Sequence, residues 1–240
     1  MRYLITISYD GSKYFGFQKL NNNKSIQGEL ERVLTKINKK TVFVKGSGRT
    51  DRGVHAINQK CHFDLDINIS PERLVKAINS LLDNYIYVSD CKIVDKDFHA
   101  RFNVKQKTYK YVINLGKYDA INNDYLYNYC YNLNIKDMKK ASKGLLGKHS
   151  YKAFVSGYRE NYNSEIYKIN FILKKDLLEI TFVGKSFYRY MIRNMVGALI
   201  LVGRGKITVD DFNNMIYSEK NIYTYMTVPA SGLYLINVEY

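Results

Sequence analysis

Residues 3 to 9 alternate, with Tyr3, Ile5, Ile7 and Tyr9 on one side. That period of two predicts a strand, and Asp10-Gly11 marks the turn after it. Ser25 then stands as an N-cap before Ile26, Leu30, Val33, Leu34 and Ile37, which fall along one stripe of a helix. Residues 42 to 46 read as a short strand, and Cys61, Phe63 and Leu65 alternate with His62, Asp64 and Asp66 in the next. Ser70-Pro71 opens a second helix, because proline in the first turn loses no hydrogen bond. Residues 85 to 94 return to strand, so the order is β-α-β-β-α-β.

The second half runs through a similar course. Tyr109, Tyr111, Ile113 and Leu115 mark a strand, residues 135 to 146 a helix, and residues 166 to 174 and 177 to 184 a hairpin. A long helix over about 187 to 203 and a shorter one over 208 to 218 precede a closing strand from Leu233 to Glu239. The pattern implies an α+β fold of two β-α-β-β-α-β (ferredoxin-like or RRM-like) units, with antiparallel sheets flanking a central active-site cleft. The expected domains are 1–104 and 105–240. No residue-level repeat relates them, and no Pro-, Gly- or Ser-rich linker marks the boundary.

Charge changes the picture. Thirty-seven Lys and Arg against 22 Asp and Glu leave +15 over 240 residues, and a chain this basic points to a polyanion. The 23 tyrosines and 11 phenylalanines suit unstacked bases, although Tyr, Asn, Lys and Ile are abundant throughout. Cys61, Cys91 and Cys130 stand far apart, and His55, His62, His99 and His149 lack paired ligand spacing, so neither a disulfide framework nor a zinc site is expected. The N-terminus lacks a signal-peptide core, and the apolar stretch from Met195 to Val202 falls far short of the roughly 20 residues of a membrane span. The expectation is a cytoplasmic protein that uses no metal.

The densest chemistry lies between two predicted strands, in Gly46-Ser47-Gly48-Arg49-Thr50-Asp51-Arg52-Gly53-Val54-His55-Ala56. The loop is long for a hairpin, and its glycines permit sharp turns or close approach to a ligand. Arg49 and Arg52 flank Asp51 and would keep it ionised as a nucleophile or base, whereas a lone loop aspartate would more simply cap a turn. No phosphate-binding G-x-x-x-x-G-K-[ST] occurs, since Gly147-Lys148 is followed by His149. Arg193 enters an otherwise apolar helix, where it either reaches the surface or meets a buried anion. Asp51 is the obvious candidate anion.

Several stretches resemble the tRNA pseudouridine synthase A family. They are Asp10-Gly11-Ser12-Lys13-Tyr14-Phe15-Gly16-Phe17-Gln18, Gly48 to Ala56, Phe98-His99-Ala100-Arg101-Phe102, Lys107-Thr108-Tyr109-Lys110-Tyr111, Met191 to Gly197 and Gly232-Leu233-Tyr234-Leu235, in family order over nearly the whole chain. The resemblance implies that Asp51 is the catalytic aspartate, Arg193 its salt-bridge partner and Tyr109 the active-site tyrosine that packs on the target base. It places Arg49 against the RNA and Leu233 in the pocket wall. It further implies a cytosolic homodimer without a required cofactor, acting on uridines at tRNA positions 38, 39 and 40 in the anticodon arm. Two positions depart from the family pattern: Phe17 stands where tryptophan is usual, and Glu165 lies in a stretch that commonly carries an arginine.

The implied reaction breaks the N1–C1′ bond of uridine, turns the base and rejoins it through C5. The base must first leave its stack, at a cost of a few kcal/mol. Tyr109 would replace the lost stacking, while Arg49, Arg52, Arg101 and Lys110 are candidates to grip the backbone. Three roles stay open for Asp51: attack on C1′, attack on C6, or removal of a ribose proton. Tyr109 is either a stacking platform or a base toward C5. Two rival readings are a non-catalytic RNA-binding module, which leaves the Gly-flanked Asp51 unexplained, and a paralogue that acts on ribosomal RNA.

Overall fold

The computed structural model describes residues 1–220 and 225–240, and the described chain divides into two compact units. Unit one comprises Met1–Lys105 with Tyr234–Tyr240, and unit two comprises Gln106–Leu233.

In unit one, β1 (Arg2–Tyr9) lies between β4 (Ile86–Val94) and β3 (His55–Asp64), antiparallel to both. The short β2 (Lys45–Gly46) adds to β3 through Lys45↔His62 and Gly46↔Cys61. Strand β10 (Leu233–Glu239) pairs with β3 in parallel, Tyr234 opposite His55. The last strand is thus grouped with residues 1–105, whereas the sequence pattern assigned it to the second half. Helices α1 (Ile26–Asn38) and α2 (Pro71–Asn79) bury Leu30, Val33, Leu34, Leu74 and Ile78, together with Tyr3, Ile5, Ile7 and Phe63 of the strands. Both helices carry the expected caps: Ser25 accepts from the Gly28 N–H and Ser70 from the Arg73 N–H. Only residues 45–46 of the expected 42–46 strand join the ladder, because the buried Glu31 carboxylate takes the Val44 N–H at 3.1 Å.

In unit two, β5 (Gln106–Asn114), β9 (Leu177–Gly184), β8 (Asn163–Lys174) and β7 (Gly147–Ser150) form an antiparallel series, with β6 (Tyr127–Asn128) parallel to β5. The expected hairpin is β8–β9. Helix α3 (Ile135–Ser142) ends four residues before its expected limit and passes into a 3-10 turn over Lys143–Leu145. Helix α4 (Met191–Gly203) is buried along most of its length, and α5 (Val209–Ser218) begins with a capping box from Thr208 and Asp211. Phe154, Phe182, Met195, Leu199, Phe212 and Met215 fill this core. Helix α4 starts at Met191 instead of 187, because Tyr190 adopts a left-handed backbone (φ 61°). Gly197 is required on its face: a Cβ there would sit 2.0 Å from the Met226 carbonyl oxygen.

Among the described residues no helix is long and apolar enough to cross a membrane.

Candidate active site

The loop from Ser47 to Val54 joins β2 to β3 and is tied to its own unit at both ends. Before Asp51, the Ser47 N–H donates to the Lys60 carbonyl at 2.8 Å, and Gln59 Nε2 donates to the Gly48 carbonyl at 3.0 Å. Ser47 Oγ is hydrogen-bonded to Gln59 Oε1 as well, and both residues are fully buried. Next to Asp51, the Thr50 carbonyl accepts from the Phe17 N–H at 3.0 Å, and the Thr50 hydroxyl meets the Tyr9 hydroxyl at 2.8 Å. After it, the Val54 N–H donates to the Asp51 carbonyl and the Gly53 N–H to the Gly11 carbonyl, both at 3.2 Å.

The Asp10–Gln18 stretch is therefore the frame of the loop. At Gly16 (φ 96°) a Cβ would lie 3.0 Å from the Thr50 carbonyl oxygen and 3.2 Å from the Arg52 nitrogen, so only glycine lets the backbones pass. Phe17 is buried here, with its ring against Gly46, so the aromatic character of the position serves packing. Asp51 is half-buried, while Arg49 and Arg52 are exposed. The Arg52 guanidinium lies over the Phe15 ring at 4.3 Å. A backbone fixed this firmly presents the carboxylate with little freedom to lose.

Unit two holds the other predicted residues. Tyr109 lies on β5, 8% exposed, with its ring edge-on to Phe187 at 5.3 Å. Arg193 lies in the first turn of α4 and is half-buried. Its Nε donates to the Val228 carbonyl at 2.7 Å, and its guanidinium carbon lies 4.9 Å from the centre of the Tyr190 ring. The stretch carrying Val228 is itself laced to α4, since the Thr227 hydroxyl donates to Asn194 Oδ1 at 2.6 Å and Asn194 Nδ2 donates to the Phe154 carbonyl at 2.9 Å. The Nε bond to Val228 and the contact with the Tyr190 ring together hold the planar guanidinium in place.

The remaining candidates are dispersed. Lys110 projects from β5 and pairs with Glu179 at 3.1 Å, which engages its charge within the sheet. Arg101 is exposed beside Phe102 at the end of the stretch after β4, with its guanidinium 5.9 Å from that ring. Leu233 is 6% exposed at the start of β10. Arg49, Asp51 and Arg52 thus share one loop in unit one, while Tyr109, Lys110, Arg193 and Leu233 belong to unit two. Among the described residues no group of three or more His, Cys, Asp or Glu is placed to hold a metal ion.

Sequence reasoning missed the residues that hold these groups: Tyr9, Thr50 and Gln59 behind the loop, and Tyr190 and Val228 around Arg193. Gly11 and Gly16 in the Asp10–Gln18 stretch were the available signal for the first set. For the second, Tyr190 stands one turn before Arg193 in the sequence, whereas the Val228 carbonyl leaves no mark in residue type.

A family model described as tRNA pseudouridine synthase matches residues 5–103 and 141–240. The chain is 37% identical over 239 residues to the tRNA pseudouridine synthase A of Geobacillus sp. (strain WCH70), covering 98% of this chain and 96% of that one. It is 38% identical over 245 residues to the enzyme of the same name from Listeria monocytogenes serotype 4a, covering 100% and 99%. A crystal structure of a Cbf5-Nop10-Gar1 complex aligns over 82% of this chain and 44% of that one at 9% identity, with a TM-score of 0.37.

Proposed function

The chain belongs to the tRNA pseudouridine synthase family, and from that premise we propose that it converts uridine to pseudouridine at positions 38, 39 and 40 in the anticodon arm of tRNA, with Asp51 as the nucleophile. As a member of that family it is an isomerase acting on tRNA. The reaction is balanced without any co-reactant. The N1–C1′ bond breaks, the uracil turns, a C5–C1′ bond forms, C5 loses its proton and N1 ends with one.

The observation that carries the reading is the setting of Asp51: a half-buried carboxylate between Arg49 and Arg52, on a backbone held by buried hydrogen bonds from Thr50, Ser47 and Gln59. Such a group has the charge and fixed aim that attack on an electrophilic carbon needs, whether at C1′ or C6, and that removal of a ribose proton needs equally. In this reading Arg193 keeps the carboxylate ionised, Tyr109 takes the face of the extruded base, and Arg49, Arg52 and Arg101 meet the RNA backbone. Leu233 forms part of the pocket wall. Lys110 is the weakest of the proposed contacts, since its charge is engaged by Glu179. The working form proposed is a cytoplasmic homodimer without metal or cofactor; the motif resemblance supports it.

Asp51→Asn tests the reading. Tritium released from tRNA labelled at uridine C5 should fall to background, while filter-binding affinity for the same tRNA stays within about threefold. Substantial turnover by this variant would remove Asp51 from the mechanism.

A further inference from the structure

Unit two carries a second cluster of cations and rings, which borders the surroundings of Arg193 through Tyr190. It is built on the loop between the 3-10 turn at Lys152–Phe154 and β8. The Arg159 guanidinium lies 4.9 Å from the centre of the Tyr188 ring, the Lys152 ammonium 6.0 Å from that of Tyr162, and the Arg189 guanidinium 4.8 Å from that of Tyr190. At the tip, Tyr158 is 91% exposed.

The loop is shaped in advance. The Tyr162 hydroxyl donates to the Gly157 carbonyl at 3.3 Å and accepts from the Arg159 N–H at 2.9 Å, closing the turn on itself. It is also fastened to the stretch that leads into α4. The Tyr188 hydroxyl donates to the Asn163 carbonyl at 2.6 Å, the Ser156 N–H to the Arg189 carbonyl at 3.3 Å, and the Ser164 hydroxyl to the Ser186 carbonyl at 2.6 Å. The loop and the helix bearing Arg193 are therefore mechanically connected within one unit.

An exposed aromatic ring held on an ordered turn gains nothing for the fold, because it buries no area. An exposed guanidinium lying over a tyrosine ring, as Arg159 does over Tyr188, offers a surface on which a second flat ring can stack. Positive charge beside such surfaces matches a nucleic-acid strand whose bases are unpaired, since every base has a face to stack and a phosphate beside it. Glu160 offsets part of the local charge of Lys152, Arg159 and Arg189.

We propose that Tyr158 and Arg159, backed by Tyr188, form a contact site for an unpaired nucleotide of the RNA outside the nucleotide being isomerised. The base lies against Tyr158 and the outer face of Arg159, and the adjoining phosphate meets Arg159 or Arg189. The proposal rests on the tRNA reading above and names a part of the strand's path that the reading leaves open.

The test uses the full chain with prefolded tRNA, and in parallel a short oligouridylate scored by filter retention. Tyr158→Ala should lower kcat/KM by about tenfold, carried in KM, and weaken oligouridylate retention by a similar factor, as expected for loss of one stacked base. Tyr158→Phe should restore both, because stacking needs the ring and not the hydroxyl. Arg159→Ala should in addition reduce the slope of log affinity against log salt by somewhat under one. Wild-type KM and wild-type oligouridylate retention in Tyr158→Ala would overturn the proposal. So would a change in sedimentation in that variant without any change in RNA affinity, which would make the tip a contact with a second copy of the chain. Failure of the wild-type protein to form pseudouridine in tRNA would instead refute the reading beneath it, and the oligouridylate arm would still decide this site.

Discussion

The hydroxyls of Tyr9 and Thr50 meet at 2.8 Å in the interior of unit one, and the residue after Thr50 is Asp51. A strand residue and a loop residue forty-one positions apart are thereby fastened together directly behind the carboxylate. Tyr9→Phe should lower stability by about 1–3 kcal/mol, because it takes a partner from a buried hydroxyl. It should also lower kcat several-fold with little change in tRNA affinity. Urea unfolding and single-turnover kinetics on one preparation check both. An unchanged kcat would mean that the bond serves the fold alone.

Gly16→Ala introduces a Cβ against the Thr50 carbonyl and the Arg52 nitrogen, at a backbone angle that alanine avoids. The cost should be about 1–3 kcal/mol in folding stability. Activity should drop further than the lost stability explains, since relief of the clash must move the loop. Measurement well below the variant's melting temperature separates the two effects. Full activity there would show that the loop tolerates displacement.

Arg193→Lys keeps the charge but loses both the Nε donor to Val228 and the flat surface over Tyr190. It should reduce kcat by at least tenfold, and Arg193→Met should reduce it further. A Lys variant with wild-type kcat would exclude a role for the guanidinium geometry.

His62 is buried, and desolvation, followed by the neighbouring His99 and Arg2, pushes its pKa down to about 4. Its Nδ1 accepts the Ala100 N–H at 3.1 Å, so the neutral ring is the one that fits. In the unfolded chain the same ring titrates near 6.5. Between those values the unfolded state binds more protons, so stability is full above about pH 6.5 and falls as pH drops toward 4. His62→Gln, which can still accept from Ala100, should flatten that part of the profile. Thermal unfolding from pH 7 to 4 provides the measurement, and an equal slope in both proteins would assign the loss to other groups.

Residue patterns carried most of the element order, because strands and helices repeat with different periods. Their limits failed where a single interaction broke the pattern. The apolar run into α4 continues through Phe187 and Tyr188, so nothing in it announces the left-handed turn at Tyr190. Val42 and Val44 alternate as a strand would, yet Glu31 takes the hydrogen bond that a ladder needs. Asp51 stood out because glycines and arginines surround it in sequence. The bonds that aim it and Arg193 did not, since Tyr9–Thr50 and Arg193–Val228 depend on tertiary register. Lys110 shows the reverse case: a plausible phosphate contact by residue type, it is engaged by Glu179, which lies diagonally across the β5–β9 pairing, two residues from its partner Thr181.

The parallel pairing of β10 with β3 sets an order of events during synthesis. Residues 1–105 leave the ribosome first, with β1, β3 and β4 able to pair at once. One edge of β3, next to the Asp51 loop, has no β10 until all of unit two has been made and residues 234–240 emerge. A nascent chain therefore carries the Asp51 loop on an unfinished sheet for the roughly 7 to 27 seconds that elongation over those residues takes at about 5–20 residues per second. Completion of the loop's own strand environment is thus coupled to synthesis of residues 234–240, and a chain halted before Tyr234 would display Asp51 without the strand that closes its side of the sheet.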